Sequence, residues 1–279
     1  MRKEKIIPKR TTLLQKLAYI LRPFVLYMLV KTFAMLFLAI AIPSIPISGI
    51  TEWVEVHNNQ LSAGVNGIAS IVAVCFVLKE FLIEVDISGE VDIDKGVFGQ
   101  LVNYFKTGFF GFDEFSGKDK SIGTRRESKT RKMGVFLLCI GVGVTASYSL
   151  NLLIKFISDM IQKQSLLGSE KYDVVETIQY SVPVWLGLIL YGLVSPMVEE
   201  IVFRGITYNR IKRFYGLPKA MIFSALLFGG FHGNLPQFVY GSIMGGIIAV
   251  CYEYVGCFAA PVLVHMSANI FTFLLSVLE

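Results

Sequence analysis

The residues best suited to chemistry lie in the stretch PMVEEIVFRG, which covers residues 196–205. Two adjacent carboxylates, Glu199 and Glu200, follow a long apolar run, and Arg204 comes one helical turn later. Glu200 and Arg204 have the spacing and the acid-first order that favour an ion pair on a helix. Glu199 points about 100° away and is therefore available for another task. Ionisable groups near a membrane segment are costly, so the stretch predicts a functional site, with a juxtamembrane pair of surface charges as the alternative.

Two of the three histidines lie in the last apolar segments of the chain. His232 follows Phe228 and a pair of glycines, and glycine permits close backbone approach. His265 lies four residues before Asn269, which places both side chains on one face of a helix. An interfacial histidine and an interhelical hydrogen-bonding pair are the structural alternatives. His57 lies in an acidic loop, and we predict no role for it in the site.

Two kinds of hydrolytic chemistry fit these residues. Two histidines and one carboxylate form a known catalytic zinc set, with Glu199, His232 and His265 as the candidate ligands. The same groups also suit a metal-free reaction, in which a glutamate beside an imidazole activates water and imidazole and amide donors stabilise an oxyanion. Both alternatives predict hydrolysis within a membrane cavity. The H-E-x-x-H, G-x-S-x-G and Walker A motifs do not occur in the sequence.

The composition indicates an all-α, polytopic membrane protein. Hydrophobic residues make up 54% of the 279 positions and charged residues only 17%. Apolar runs recur that reach about 20 residues, the length needed to cross roughly 30 Å of hydrocarbon. We predict a bundle of about seven to eight membrane helices, in an integral plasma membrane protein. The predicted spans cover residues 28–49, 62–84, 134–157, 174–198, 218–232, 236–253 and 257–277.

Basic residues set the expected orientation. Lysine and arginine number seven in residues 1–22, ten in 79–132 and five in 204–219, whereas residues 50–61 have none. The positive-inside rule therefore places the N-terminus, the polar loop at 85–133 and the segment 199–216 on the cytoplasmic side. The net charge of +5 does not indicate nucleic-acid binding, because the basic residues lie beside apolar runs.

Smaller predictions concern the first apolar segment, two aromatic segments and a pair of glycines. Residues 11–21 are expected to form an interfacial helix before the first span, and Lys31 to reach the cytoplasmic interface from within it. Two aromatic segments, Val97–Phe105 and Phe109–Phe112, either lie on the membrane surface or anchor a solvated loop. Gly241 and Gly245 form a G-x-x-x-G pattern, to which we assign helix packing alone.

Three motifs in order carry a family resemblance. E-E-x-x-x-R (Glu199, Glu200, Arg204), F-x-x-x-H (Phe228, His232) and H-x-x-x-N (His265, Asn269) resemble the CAAX protease and bacteriocin-processing family, also called Abi proteins. These are intramembrane endopeptidases. The resemblance covers about residues 174–277 and implies an all-helical fold around a conical cavity that opens to the cytoplasm. It divides one integrated membrane domain into N-terminal helices (1–173) and a catalytic core (174–279).

The resemblance also implies residue roles. Glu199 would activate the water together with His232, while Glu200 and Arg204 would hold the electrostatics and the helix geometry. His265 and Asn269 would bind the oxyanion, or His265 would join a divalent metal site, with zinc as the candidate ion. The implied substrate is a membrane-associated peptide or lipidated protein, with or without a prenyl group. The sequence determines neither the substrate nor the oligomeric state.

Two other functions are compatible with the sequence. A non-catalytic partner in bacteriocin immunity or signalling would need the membrane helices and the basic loop but no catalysis. A proton-coupled transporter would use intramembrane glutamate and histidine as a relay. The second is less favoured, because the polar residues are confined to the last third and no inverted repeat is evident.

Overall fold

The computed structural model describes residues 12–85, 96–110, 129–162 and 182–278, and within these ranges all regular structure is helical. The loop at 85–133 is described only at residues 96–110 and at its end. The described helices are α1 (Leu13–Ala41), α2 (Ile50–Val56), α3 (Asn58–Cys75), α4 (Leu78–Val85), α5 (Val97–Thr107), α6 (Lys129–Gln162), α7 (Val184–Tyr215), α8 (Leu217–Gly230), α9 (Leu235–Val255) and α10 (Ala259–Leu278).

Five helices in the described ranges are long and apolar enough to cross a membrane, namely α1, α6, α7, α9 and α10. The pair α3–α4 would add a sixth span, although it is bent by 58° at its break. The described residues thus have the features of an integral membrane protein, with fewer candidate spans than the predicted seven to eight. One reason is α8, whose 14 residues rise only about 21 Å, short of the hydrocarbon thickness.

Helix α1 is continuous from Leu13 to Ala41, so the predicted interfacial helix and the predicted first span at 28–49 are one element. The helix begins with a capping box, in which Thr12 and Gln15 satisfy each other's backbone N–H groups. It ends before Pro43 and Pro46, because proline supplies no backbone donor and disfavours a helical residue before it. Because the apolar sequence continues past this end, the first span was predicted to end too late in the chain.

Helix α7 runs through the glutamates without interruption. Its α-helical part Ser195–Glu200 lies between two π-helical segments, Leu188–Val194 and Ile201–Tyr208. All eight residues of the second π segment are buried. The prediction that the span ends at residue 198 is therefore wrong, as is the alternative of surface charges. The charged residues resembled a membrane boundary in sequence, whereas in the fold Glu200 and Arg204 neutralise each other inside the bundle.

Three helix ends meet in a second charged cluster, which we call the end cluster: Tyr19, Glu80, Glu84, Arg210 and Arg213. Arg210 donates to Glu84 Oε1 at 3.1 Å, to Glu80 Oε2 at 2.5 Å and to the Tyr19 carbonyl at 2.6 Å, and Arg213 pairs with Glu84. These contacts place the beginning of α1 and the ends of α4 and α7 at the same end of the bundle. The cytoplasmic orientation of that end stays a prediction.

Helix α5 contains the first of the two aromatic segments. Tyr104 and Phe109 are buried and contact Phe81 of α4 and Phe258, which precedes α10. Phe98, by contrast, is exposed. The described part of the loop is therefore anchored on the bundle by aromatic side chains. Whether its outer face lies on the membrane surface or in solvent stays a prediction.

Small residues let the helices approach closely. A Cβ atom at Gly143 of α6 would collide with the Val264 carbonyl and Ser267 of α10. A Cβ atom at Gly205 would collide with the Phe81 ring of α4. Helix α8 packs on α9, and α10 packs on α6 and α7. These contacts bring α7 to α10 together around one cavity.

Candidate active site

A cavity of about 470 Å³ lies between α1, α3, α6 and α7 to α10. Four of the predicted site residues line it, namely Glu199, His232, His265 and Asn269. The other two, Glu200 and Arg204, are fully buried. Residues that are far apart in sequence and predicted from three separate motifs are thus brought to one place by the fold.

Glu200 and Arg204 form the ion pair that their spacing favours. Arg204 Nη1 donates to Glu200 Oε1 at 3.0 Å, and both side chains have no exposed surface. Arg204 Nη2 donates to the Gly245 carbonyl at 2.9 Å, and the guanidinium lies 4.6 Å from the centre of the Phe228 ring. A Cβ atom at position 245 would lie 3.1 Å from Arg204 Nη2. Gly245 therefore positions the arginine, beyond the packing role that the G-x-x-x-G pattern predicted.

His265 bridges the two glutamates. Its Nδ1 lies 2.8 Å from Glu200 Oε1 and its Nε2 lies 3.7 Å from Glu199 Oε2. An ionised carboxylate only accepts hydrogen bonds, so Nδ1 carries the hydrogen and donates to Glu200. This contact fixes the orientation of the ring and directs Nε2 toward Glu199.

Glu199 is held at the cavity wall. Ser195 Oγ donates to Glu199 Oε1 at 2.6 Å, from one helical turn earlier on the same segment. The carboxylate is 7% exposed, and its second oxygen is directed toward His265. Ser195 was not predicted from the sequence, although its spacing of four residues from Glu199 places the two side chains next to each other on a helix.

His232 approaches the cavity from the end of α8. Its Nδ1 lies 3.0 Å from the Phe228 carbonyl oxygen and therefore donates to it, which leaves Nε2 as an acceptor in the neutral ring. Among the described ion pairs, His232 has none within 4 Å of a carboxylate. The resemblance implied that His232 acts with Glu199, whereas the imidazole beside Glu199 belongs to His265. The role of His232 stays a prediction.

Asn269 is oriented by a backbone feature of α7. Ser195 N–H donates to the Leu190 carbonyl, a π-helical pattern of five residues. The next bond of that pattern would run from residue 196 to Tyr191, but Pro196 has no N–H to donate. The Tyr191 carbonyl instead accepts from Asn269 Nδ2 at 3.0 Å. Because an amide nitrogen carries two hydrogens, one N–H of Asn269 remains for a ligand.

The Phe228 ring orders both imidazoles. It is 2% exposed, and it meets His232 and His265 edge to face with ring centres 5.3 Å apart in each pair. His57 has no part in this arrangement, since it stacks on Trp53 outside the cavity lining.

Glu199, His232 and His265 are the candidate ligands of a metal ion. Within the described ranges, no group of three or more histidine, cysteine, aspartate or glutamate side chains is placed to hold a metal ion. Glu199, His232 and His265 therefore do not fit a three-ligand metal site in this arrangement. We derive the chemistry below from the side chains alone.

Lys31 is a further lining residue that was not predicted from the sequence to belong to the site. Its side chain borders the cavity, and the ammonium lies 5.2 Å from the ring centre of Phe231. That Lys31 reaches the cytoplasmic interface stays a prediction. Its position depends on how α1 is rotated against α8, which hydropathy does not report.

Glutamate, histidine and arginine side chains are thus brought together inside helices of membrane length. Residues 181–271, which contain the six predicted site residues, match the family described as type II CAAX prenyl endopeptidase Rce1-like. The resemblance drawn from the three motifs is confirmed over this segment, which belongs to that family. Comparisons with curated proteins and with solved structures gave no match. The family implies a protease that acts on a protein substrate in a membrane setting.

Proposed function

We propose that the protein is an intramembrane endopeptidase that hydrolyses a peptide bond with a water activated by Glu199. The observation that carries the proposal is the different state of two adjacent glutamates. Glu200 is fully buried and paired with Arg204, whereas Glu199 borders the cavity with one oxygen held by Ser195 and the other beside His265. A carboxylate that is anchored yet reachable has the placement that a general base requires.

In this reaction Glu199 removes a proton from water as the oxygen attacks the carbonyl carbon of the scissile bond. When the carbon–nitrogen bond breaks, Glu199 returns that proton to the leaving amine. The second N–H of Asn269 donates to the oxyanion that forms between the two steps. His232 Nε2, an acceptor in the neutral ring, orients the attacking water.

Glu200, Arg204 and His265 position the base. Arg204 neutralises Glu200, and Glu200 holds the Nδ1–H of His265 so that Nε2 stays beside Glu199. Groups that are held in place before the reaction need no reorganisation as charge develops, which is the source of their catalytic value.

The substrate is a membrane-associated protein or peptide, with prenylated chains included. We propose that the scissile bond enters the bundle from the side of the end cluster, for which the positive-inside rule predicts a cytoplasmic location.

The test uses the purified protein in proteoliposomes with a fluorogenic S-farnesyl peptide that ends in Cys-Val-Leu-Ser. We expect Glu199→Gln, which keeps the side-chain shape, to lower kcat by roughly 10²–10⁴-fold, the usual contribution of a general base. Glu52→Gln is the matched control, since Glu52 is exposed on α2 and away from the cavity. Thermal stability in detergent should be unchanged for both variants. Full activity of Glu199→Gln would refute the proposal.

Chelation tests the metal-assisted alternative in the same assay. If a divalent ion such as zinc takes part through Glu199, His232 and His265, chelators will abolish cleavage and metal analysis will find about one ion per chain. Activity that persists after chelation supports the reaction described above.

A further inference from the structure

The cavity contains one cationic side chain that the proposed reaction does not use. Lys31 and Glu199 are the only lysine, arginine, aspartate or glutamate residues among the described residues that line the cavity. Lys31 belongs to α1, outside the segment that matches the protease family. Its role therefore has to be derived from its surroundings.

Lys31 lies at the depth of Glu199. The Tyr19 carbonyl accepts from Arg210, so these two residues mark a common level at the end of the bundle. Lys31 follows Tyr19 by 12 residues, about 18 Å along α1, and Glu199 precedes Arg210 by 11 residues along α7. Both side chains border the same cavity, so the ammonium lies within the bundle and away from the end cluster.

Lys31 has no carboxylate within ion-pair distance among the described residues, and its ammonium instead lies over the rings of Phe231 and Tyr27, at 5.2 and 6.0 Å from their centres. Glu199 acts on the ammonium electrostatically without forming an ion pair with it, and its own close contacts are with Ser195 and His265. A lysine inside the membrane is costly and almost always pairs with an anion or marks a ligand path. A cation over aromatic rings gains only about 0.5–2 kcal/mol.

The rest of the polar lining is uncharged, and its side chains include Asn66, Asn151 and Gln237. Amide groups of this kind suit the N–H and C=O groups of a peptide backbone. The volume of about 470 Å³ is that of a pocket for a drug-sized ligand, so it fits a short peptide end better than a long chain. A peptide end carries one fixed anion, the α-carboxylate.

Building on the proposed function, we propose that Lys31 binds the C-terminal α-carboxylate of the substrate inside the cavity. The carboxylate pairs with the ammonium while the scissile bond lies at Glu199. The distance between these two side chains then selects how many residues are released. Lys31 is in this sense a specificity residue, and it takes no part in bond cleavage.

Binding to the inactive Glu199→Gln protein tests the proposal without turnover. The probes are two S-farnesyl peptides ending in Cys-Val-Leu-Ser, one with a free carboxylate and one with a C-terminal amide. We expect the acid to bind at least about tenfold more tightly than the amide, a difference of about 1.4 kcal/mol. Adding Lys31→Gln should bring the ratio to about one, and Lys31→Arg should retain most of it. Equal binding of the acid and the amide to the Lys31 protein, or no binding of either, overturns the proposal.

Lys16→Gln is the matched control. Lys16 also lies on α1 over an aromatic ring, Phe214, but does not line the cavity. The acid preference should be unchanged in this variant. A third peptide, an amide with aspartate as its last residue, separates the α-carboxylate from a side-chain carboxylate. If it binds as tightly as the acid, the C-terminal assignment is wrong.

Steady-state kinetics distinguish binding from an electrostatic effect on Glu199. With Glu199 intact, Lys31→Gln should raise KM for the acid peptide about tenfold and change kcat less than threefold, with the pH profile of kcat unmoved. A shift of that profile, or an equal loss for both peptides, overturns the binding role. Cleavage without acid preference refutes only the assignment of Lys31, whereas acid preference without any cleavage refutes the endopeptidase and supports the carboxylate site.

Discussion

Helix α7 contributes residues to two charged clusters, which have similar residue types but different roles. The first, which we call the site cluster, consists of Glu199, Glu200, Arg204 and His265. The second is the end cluster, in which Glu84 accepts from Tyr19, Arg210 and Arg213 through both of its oxygens. Glu199, in contrast, accepts from Ser195 alone and borders a cavity.

The difference shows what separates a structural charge network from a reactive one. In the end cluster the carboxylates are saturated by arginines from neighbouring helix ends, so they fix the packing of α1, α4 and α7. In the site cluster Glu200 is fully buried and paired with Arg204 and His265, whereas its neighbour Glu199 retains an accepting oxygen beside a cavity. Burial does not distinguish the two clusters, because Glu84 and Glu199 are both nearly inaccessible, at 4% and 7% exposed.

The largest stability effect is expected at Arg204. Arg204→Met removes the guanidinium and leaves the Glu200 carboxylate buried without its ion-pair partner, which costs about 3–5 kcal/mol. Thermal or denaturant unfolding in detergent measures this loss. The double variant Glu200→Gln/Arg204→Met removes both charges, and it should recover most of the stability, while the glutamine side-chain oxygen can still accept from His265 Nδ1. If the double variant is as unstable as the single one, the cost arises from lost packing and not from the unpaired charge.

A smaller effect is expected at Glu84, and it should fall on stability alone. Glu84→Gln weakens charge-assisted hydrogen bonds that are worth about 1.5–3 kcal/mol, while Arg210 keeps its contact with Glu80. Unfolding measurements should show the loss, and kcat per folded molecule should equal that of the parent protein. A decrease in kcat without a decrease in stability would place the end cluster within the catalytic machinery and remove the contrast drawn above.

The smallest effect is expected at Ser195. Ser195→Ala removes the hydrogen bond to Glu199 Oε1, which corresponds to about 1 kcal/mol and hence a loss of roughly fivefold in kcat. The free energy of unfolding should change little, because the Glu199 carboxylate still borders the cavity. Ser195→Thr, which keeps the hydroxyl, is the matched control and should retain activity. No change in kcat for Ser195→Ala would show that helix α7 alone holds the base.

Local sequence predicted the parts of the structure that depend on helical periodicity. The described spans α6, α9 and α10 lie within a few residues of their predicted bounds, since hydropathy reports them directly. The ion pair of Glu200 with Arg204 is present, as their spacing predicted. His265 and Asn269 line the same cavity, as residues four apart on one helix should.

Only the tertiary structure decided which partner each group meets. The sequence could not show that α7 continues through its charged residues, because the contacts that complete the burial of this ion pair, from the Gly245 carbonyl and His265, come from α9 and α10. Nor could it show that His265, instead of His232, stands beside Glu199, or that Lys31 faces the cavity. Such contacts depend on the rotation and depth of helices that are distant in sequence, whereas periodicity specifies only the face on which a residue lies.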